Sequence, residues 1–521
     1  MITFKRTQLF VFVAVACVLL PFYRYELGPD GISYLSVASE YAHGYWRDAV
    51  NPYWGPFYSW LLAFLLVLRV PGIVATRLVA IASGALALYA LDALCRRLPM
   101  RLPLQQIFLW LTALVLLSYV IGSDTPDVLF TALLLLYTAV IFHPAYPIRY
   151  AGLFCGVLGA LSFYTKSYGF AFFVSHFCVI TAVVYWLRGE RQRRREIVQQ
   201  FVIGLVCFFI LSAGWIFVLH AKYGIWTLGT SGEFNHRLVG PESAGYPHLR
   251  RSIPPQREHD ITSWQNPSPA WLPAWSAVRD ARHEAKLVAL NVHEVAYFWF
   301  RESIFGPILL IVYIVLYLRR GKNRWEWLYP VITIGLFTGG YILLTVEDRY
   351  FWYVELLLLL IAFRALELVF QQKTLSRTAQ FALIAVLVLS FAVGPLRALR
   401  GHFRRDAGLY ATVQALKQSG KLNEPFASCE DWAHSAYIAY MLQEAYYGVI
   451  FPEPDADEIA HELNPDFKGS PESAPTAAAA RRQLTSMHIR GVLVWADCAI
   501  DASSLGAVTA EAGGLRLVEA K

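Results

Sequence analysis

Four stretches of the chain set ionisable side chains among glycine, proline and aromatic residues. The first reads Gly28-Pro29-Asp30-Gly31-Ile32-Ser33-Tyr34 and leads on to Asn51-Pro52-Tyr53-Trp54-Gly55-Pro56. The second is Asp124-Thr125-Pro126-Asp127, the third is Lys166 between two apolar runs, and the fourth is Glu347-Asp348-Arg349-Tyr350. A carboxylate such as Asp30 can accept a proton as a general base. Arginine holds phosphate through a bidentate fork, and lysine holds it as a point charge. Each residue also has a plainer explanation. A loop carboxylate such as Asp30 is often merely solvated, Asp127 after Pro126 could cap a helix, and Lys166 could snorkel to a membrane surface.

The elements that must position these residues are membrane spans. Of 521 residues, 56% are hydrophobic, 15% aromatic and only 16% charged, more apolar than a water-soluble surface tolerates. Mean hydropathy is +0.43. The net charge of +7 comes from short basic clusters between apolar runs, not from one basic face, which argues against a nucleic-acid partner. The apolar segment 9–20 follows Lys5 and Arg6 but precedes no small-residue cleavage site, so it reads as a retained first span.

A span needs roughly 20 apolar residues. Eleven candidates lie near 7–23, 73–94, 104–122, 127–142, 150–165, 169–187, 201–220, 298–318, 326–345, 350–369 and 379–396. Taken as one helix, 150–187 would run about 57 Å against a hydrocarbon core of about 30 Å, so it must be a hairpin with Lys166 at its tip. The stretch 54–70 is also apolar, but if it crossed, every later basic cluster would face outward. Keeping it interfacial or re-entrant places Lys5 and Arg6, Arg96, Arg97 and Arg101, Arg149, the 188–195 and 319–324 clusters, and Lys373 and Arg377 all inside. The expectation is an N-terminus in the cytoplasm, with outer loops 24–72 and 221–297 and an outer C-terminus. Lys166 is then a cation at an outer turn, against the positive-inside bias.

Loop 221–297 is rich in Pro, Trp and His and ends in an expected amphipathic helix over 277–295. Beyond 397 the pattern alternates: helix 407–418, strand 425–429, helix 433–442, strand 446–451, helix 477–487 and strand 491–495. The domains expected are a transmembrane unit over 1–397 and a small extracytoplasmic α/β domain over 398–521. Five of the seven cysteines sit in or beside apolar runs, where a thiol is a small hydrophobe. Cys429 and Cys498 in the tail could pair in an oxidising compartment. His43, His236, His248 and His259 have no metal-ligand spacing.

Asp30 to Tyr34, Asn51 to Pro56 and Thr125-Pro126-Asp127, in that order and on one side of the membrane, together resemble the GT-C superfamily of integral membrane glycosyltransferases. The similarity is to the group of dolichyl-phosphate-mannose-protein mannosyltransferases and lipid A aminoarabinose transferases. It covers the N-terminal half through about Tyr168 and weakens afterwards, apart from the 347–350 turn. The resemblance implies a polytopic α-helical membrane protein in the inner membrane that works on a polyprenyl-phosphate-sugar donor. It places an acidic residue of the first outer loop, here Asp30, at the reaction centre, and a second acid at Asp124 or Asp127.

The chemistry so implied requires a base for the acceptor and cations for the leaving phosphate, which needs no general acid. Asp30 is the candidate base, and Lys166 and Arg349 are the candidate phosphate-holding residues. Tyr34, Tyr53, Trp54 and Glu347 are candidate substrate contacts. Two outer carboxylates could hold a divalent cation with the donor phosphate, a matter the resemblance leaves open. The expected activity is inverting transfer of one sugar to a glycan, lipid or protein acceptor at the outer face. A transporter or flippase would instead set its ionisable residues near mid-depth of several helices. Here they gather at the outer ends, with Arg77, Asp92, Glu355, Arg364 and Glu367 as exceptions. A membrane-anchored scaffold would explain the tail but not the acidic first loop.

Overall fold

The computed structural model describes residues 7–187, 190–303, 305–320, 325–469 and 476–520. The basic residues Lys5, Arg6, Arg188, Lys322 and Arg324, used above for topology, lie outside them. The apolar runs fold as helices: Thr7–Tyr23, Gly72–Cys95, Leu102–Gly122, Asp127–Ile141, Ala151–Thr165, Tyr168–Leu187, Arg191–Tyr223, Gly306–Arg320, Trp325–Tyr341, Trp352–Phe370 and Arg377–His402. Among the described residues, five helices are long and apolar enough to cross a membrane by length and composition: Gly72–Cys95, Leu102–Gly122, Tyr168–Leu187, Arg191–Tyr223 and the one beginning at Arg377. Several others are shorter apolar helices. Asp127–Ile141 has 15 residues, a rise of about 22 Å, because its N-terminal end gives way to the Asp124-Thr125-Pro126 turn.

One segment departs from the pattern read in the sequence, and another is too short to span. The stretch 54–70 contains a helix of only 12 residues, Pro56–Val67, about 18 Å long against the roughly 30 Å of a hydrocarbon core. The span expected at 298–318 does not begin at 298. The amphipathic helix expected over 277–295 runs instead as Ala281–Glu302, and the chain then turns sharply, by 94°, into Gly306–Arg320. Ser303 accounts for part of that break: it accepts the Gly306 N–H at 2.7 Å through its hydroxyl. Apolar periodicity continues across such a turn and so conceals it.

The ionisable groups singled out within the helices each find at least one partner nearby. Arg77 donates to the carbonyls of Ser123 and Glu26, Arg364 to Pro99 O and the Tyr317 hydroxyl, and Asp92 pairs with Arg96. Glu355 accepts from Tyr119, and Glu367 from Arg101. They tie helices and turns together, as buried polar groups must when water is absent.

Helix Arg377–His402 carries the chain across residue 397 to the tail, whose sheet has strands β1 (Phe426–Cys429), β2 (Tyr446–Val449), β3 (Gly491–Val494), β4 (Gly506–Ala512) and β5 (Leu515–Ala520) in the order β2-β1-β3-β5-β4. β1 is parallel to β2 and β3, and β5 is antiparallel to β3 and β4. The sequence pattern foreshadows β1 to β3 but not the β4–β5 hairpin, whose Gly513-Gly514 turn has positive φ at both positions, the signature of a two-residue hairpin connection. Cys429 and Cys498 form a disulfide. The loop 221–297 packs on this sheet: the Tyr446 N–H donates to Ile261 O at 2.8 Å, and Arg250 pairs with Asp457 at 2.7 Å.

Candidate functional site

Pro29 supplies the first turn of helix Pro29–Ala42, and Asp30 follows it, a position where the helix dipole favours a carboxylate. Gly31 faces Asp124 so closely that a Cβ there would lie 2.6 Å from its carboxyl carbon. Asp124 accepts the Gly28 N–H, and Tyr58 donates to its carbonyl at 3.0 Å. Burial raises the Asp124 carboxyl above its usual pKa, opposed by Arg77. Its geometry is that of a side chain holding the Gly28–Gly31 segment against the Ser123–Pro126 turn.

Asp127 is placed differently. Pro126 occupies the helix-cap position and no side chain caps the helix, so Asp127 is not spent on backbone N–H groups there. Its carboxylate accepts from Thr125 Oγ1 at 2.6 Å and pairs with Lys166 Nζ, and Arg349 Nε lies 3.9 Å away. Lys166 ends helix Ala151–Thr165 at the tip of the hairpin. The entry into helix Pro56–Val67 braces that tip, since a Cβ at Gly55 would come within 2.5 Å of the Tyr164 and Thr165 carbonyls. The ammonium also sits 4.0 Å from the centre of the Tyr350 ring, a cation–π contact.

Arg349 comes from the 3-10 turn Asp348–Phe351. Its Nη2 donates to Asp30 Oδ2 at 2.6 Å and its Nε to Glu347 Oε2 at 2.7 Å. Burial opposes its charge, but Glu347, Asp30 and Asp127 outweigh burial and raise its pKa. The other oxygen of Asp30 accepts the Trp264 indole N–H at 2.9 Å. Tyr34 packs against Trp54 and Tyr58, and Tyr53 against Trp264. Trp54 donates to Trp264 O at 3.2 Å.

All the residues singled out in the sequence, Asp30, Tyr34, Tyr53, Trp54, Asp124, Asp127, Lys166, Glu347 and Arg349, line one cavity of about 650 Å³. Trp264, Tyr246, His248, Tyr350 and Trp432 line it too and were not singled out. Tyr350 was within reach, being next to Arg349. The others come from the long loop and the tail, where local sequence carries no sign of which aromatic residue turns inward.

The donor set does not fit a divalent cation. The two oxygens of Asp30 take Trp264 and Arg349, and those of Asp127 take Lys166 and Thr125. Two side-chain cations already stand where a metal would bind these acids. Among the described residues no group of three or more His, Cys, Asp or Glu could hold a metal.

No protein-family model matches the chain, and no curated protein matches it by sequence. Solved structures do match it. ArnT from Cupriavidus metallidurans bound to undecaprenyl phosphate superposes with a TM-score of 0.60 at 15% identity, covering 98% of each chain. Its apo state gives 0.57 at 14% identity, covering 99% of this chain and 98% of that one. An Archaeoglobus fulgidus oligosaccharyltransferase in complex with Zn and sulfate gives 0.53 at 11% identity, covering 94% of this chain and 68% of that one. At such identities the likeness shows a shared, ArnT-like fold.

Proposed function

We propose that this chain is an inverting glycosyltransferase that takes one sugar from a polyprenyl-phosphate carrier and passes it to an acceptor at the outer face of the inner membrane. The observation that carries the reading is the shared charge of one cavity: a carboxylate, Asp30, joined through Arg349 to the Asp127–Lys166 pair. The two cations keep donors in hand. Lys166 Nζ uses one of its three N–H groups on Asp127, and Arg349 Nη1 has no hydrogen-bond partner among the described residues. These N–H groups suit a phosphate. The shared fold with ArnT, crystallised with undecaprenyl phosphate, supports the same class of carrier.

In the reaction, Asp30 accepts the acceptor hydroxyl proton as the oxygen attacks the anomeric carbon from the face opposite the phosphate. The carbon–oxygen bond to phosphate breaks, and its electron pair leaves on the phosphate oxygen, where Lys166 and Arg349 meet the growing charge. The anomeric centre inverts in this single displacement. No step runs through a metal. The carrier's hydrocarbon tail lies in a lipid-facing groove between spans. Outer loops 24–72 and 221–297, with residues 398–521, form the extracytoplasmic part, and the N-terminus is cytoplasmic. The Cys429–Cys498 disulfide supports this orientation, because such bonds persist in oxidising compartments.

The test uses the purified protein in lipid nanodiscs with undecaprenyl phosphate as probe, together with mass spectrometry of envelope glycans and lipids from a deletion strain. Binding of the probe, and loss of one glycosyl increment on deletion, are the expected results. No binding and unchanged masses would overturn the reading.

A further inference from the structure

The cavity has a second end. Beyond Asp30 its wall is built by Tyr246 and His248 at the 3-10 turn Pro247–Leu249, by Trp264, and by Trp432 at the start of the tail helix Trp432–Leu442. Asp30 faces both ends, one oxygen toward Arg349 and the other toward the Trp264 N–H. A base must do this if it is to see both donor and acceptor.

His248 lies between two indoles, its ring centre 4.5 Å from that of Trp264 and 4.4 Å from that of Trp432. It is 6% exposed, and its Nδ1 has no hydrogen-bond partner among the described residues. Burial pushes its pKa down to about 3, against the pull of Asp30, so the imidazole is neutral and offers one N–H and one lone pair. Nδ1 is enclosed and does not open into the cavity, so a hydroxyl there would meet the other ring nitrogen, Nε2.

The charges are unevenly placed. Lys166 and Arg349 are the only lysine and arginine among the described residues that line the cavity, and both are held by Asp127, Asp30 and Glu347. The wall from the long loop and the tail brings no cation of its own. An anionic acceptor there would meet no cation on that wall, and Arg349 is already shared with Asp30 and Glu347.

We infer that this aromatic end is the acceptor subsite and that it takes an uncharged sugar, a neighbouring hydroxyl of which bonds to His248 while the ring lies against Tyr246, Trp264 and Trp432. The inference rests on the glycosyl-transfer reading and names the acceptor class for it: a neutral carbohydrate hydroxyl, not a phosphate. Aromatic walls with a few placed polar groups suit such a ligand. The tail thereby forms part of the site instead of hanging from the membrane unit.

Saturation-transfer NMR on the full-length protein in nanodiscs tests this, with methyl glycosides of common hexoses and pentoses and the matching sugar phosphates as probes. At least one methyl glycoside should receive saturation, and the sugar phosphates should bind more weakly. His248→Gln and, separately, Trp432→Leu should each weaken glycoside binding about fivefold or more, and undecaprenyl phosphate binding in the same samples reports that each variant is folded. Tighter binding of the sugar phosphates, or glycoside binding indifferent to both substitutions, overturns the inference. Undecaprenyl phosphate binding with no glycoside binding overturns it while sparing the donor reading. If wild-type protein binds neither probe, the donor reading falls and takes this inference with it.

Discussion

Asp30 and Arg349 stand 319 positions apart and meet in a 2.6 Å ion pair. The pair joins the segment after helix Thr7–Tyr23 to the turn before helix Trp352–Phe370, and it joins the proposed base to a proposed phosphate-holding group. A donor phosphate that engages Arg349 therefore acts on the same side chain that orients Asp30. Donor binding and base positioning are one event in this geometry.

Asp30→Asn keeps the shape of the side chain and its contact with Trp264 or Arg349, but removes the ability to accept a proton. Turnover should fall by about 10² or more, the usual scale for loss of a general base, with undecaprenyl phosphate still bound. Turnover at the wild-type rate in a steady-state assay would remove Asp30 from the mechanism.

Lys166→Ala removes a charge-assisted phosphate contact of roughly 1.5–3 kcal/mol, which predicts about 10- to 150-fold weaker donor binding. Part of that contact should strengthen as charge builds on the leaving phosphate, so turnover should drop as well. The buried Asp127, 3% exposed at its side chain, also loses its nearest cation, so the variant should be less stable as well. Lys166→Arg restores charge but not the compact point donor, and it should rescue only in part. Unchanged donor affinity and turnover in Lys166→Ala, beside their loss in Arg349→Ala, would leave Lys166 with a purely structural role.

Cys429→Ser together with Cys498→Ser opens a covalent link spanning 69 residues and should cost about 2–4 kcal/mol of tail stability. Limited proteolysis should then cut within 398–521 faster than in the wild type. Reporter fusions after Gly240 and Gly420 should mark the outer side, and fusions after Arg97 and Arg193 the cytoplasm. A cytoplasmic signal at Gly420 would reverse the topology and detach the cavity from the outer face.

Residue types legible in the sequence are those whose placement is costly. Asp30, Asp127, Lys166 and Arg349 stand at the ends of apolar runs, where a charge needs a reason, and the structure brings all four into one cavity. Asp124 and Asp127 could not be told apart by sequence. Only the fold shows that Gly28 and Gly31 occupy the first while Lys166 takes the second. Trp264 and His248 stayed hidden because a loop has no period to announce which side chain faces inward. The break between Glu302 and Gly306 stayed hidden for the opposite reason: apolar runs on both sides read as one span. The β4–β5 hairpin did carry a signal in Gly513-Gly514, but its flanking residues alternate too weakly to name strands.

Glu40 supplies a pH test independent of catalysis. It is 3% exposed, Oε1 accepts from Gln265 at 2.7 Å, and Oε2 has no partner among the described residues. Burial and then Asp260 raise its pKa from 4.5 to about 8, with Asp48 adding to them and Arg257 and Lys222 opposing. Folded protein therefore keeps a proton on Glu40 that the unfolded chain releases above its ordinary carboxylate pKa. Between these two values the folded state binds more protons, so stability falls as pH rises from the unfolded pKa toward the folded one. Asp260, also raised by burial, acts in the same direction. Glu40→Gln holds the neutral form at every pH and should flatten this slope, with its largest gain over wild type near the top of the window. Unfolding midpoints from about pH 5 to about pH 9 check the prediction. Parallel slopes for wild type and Glu40→Gln would mean that Glu40 is already ionised in the fold.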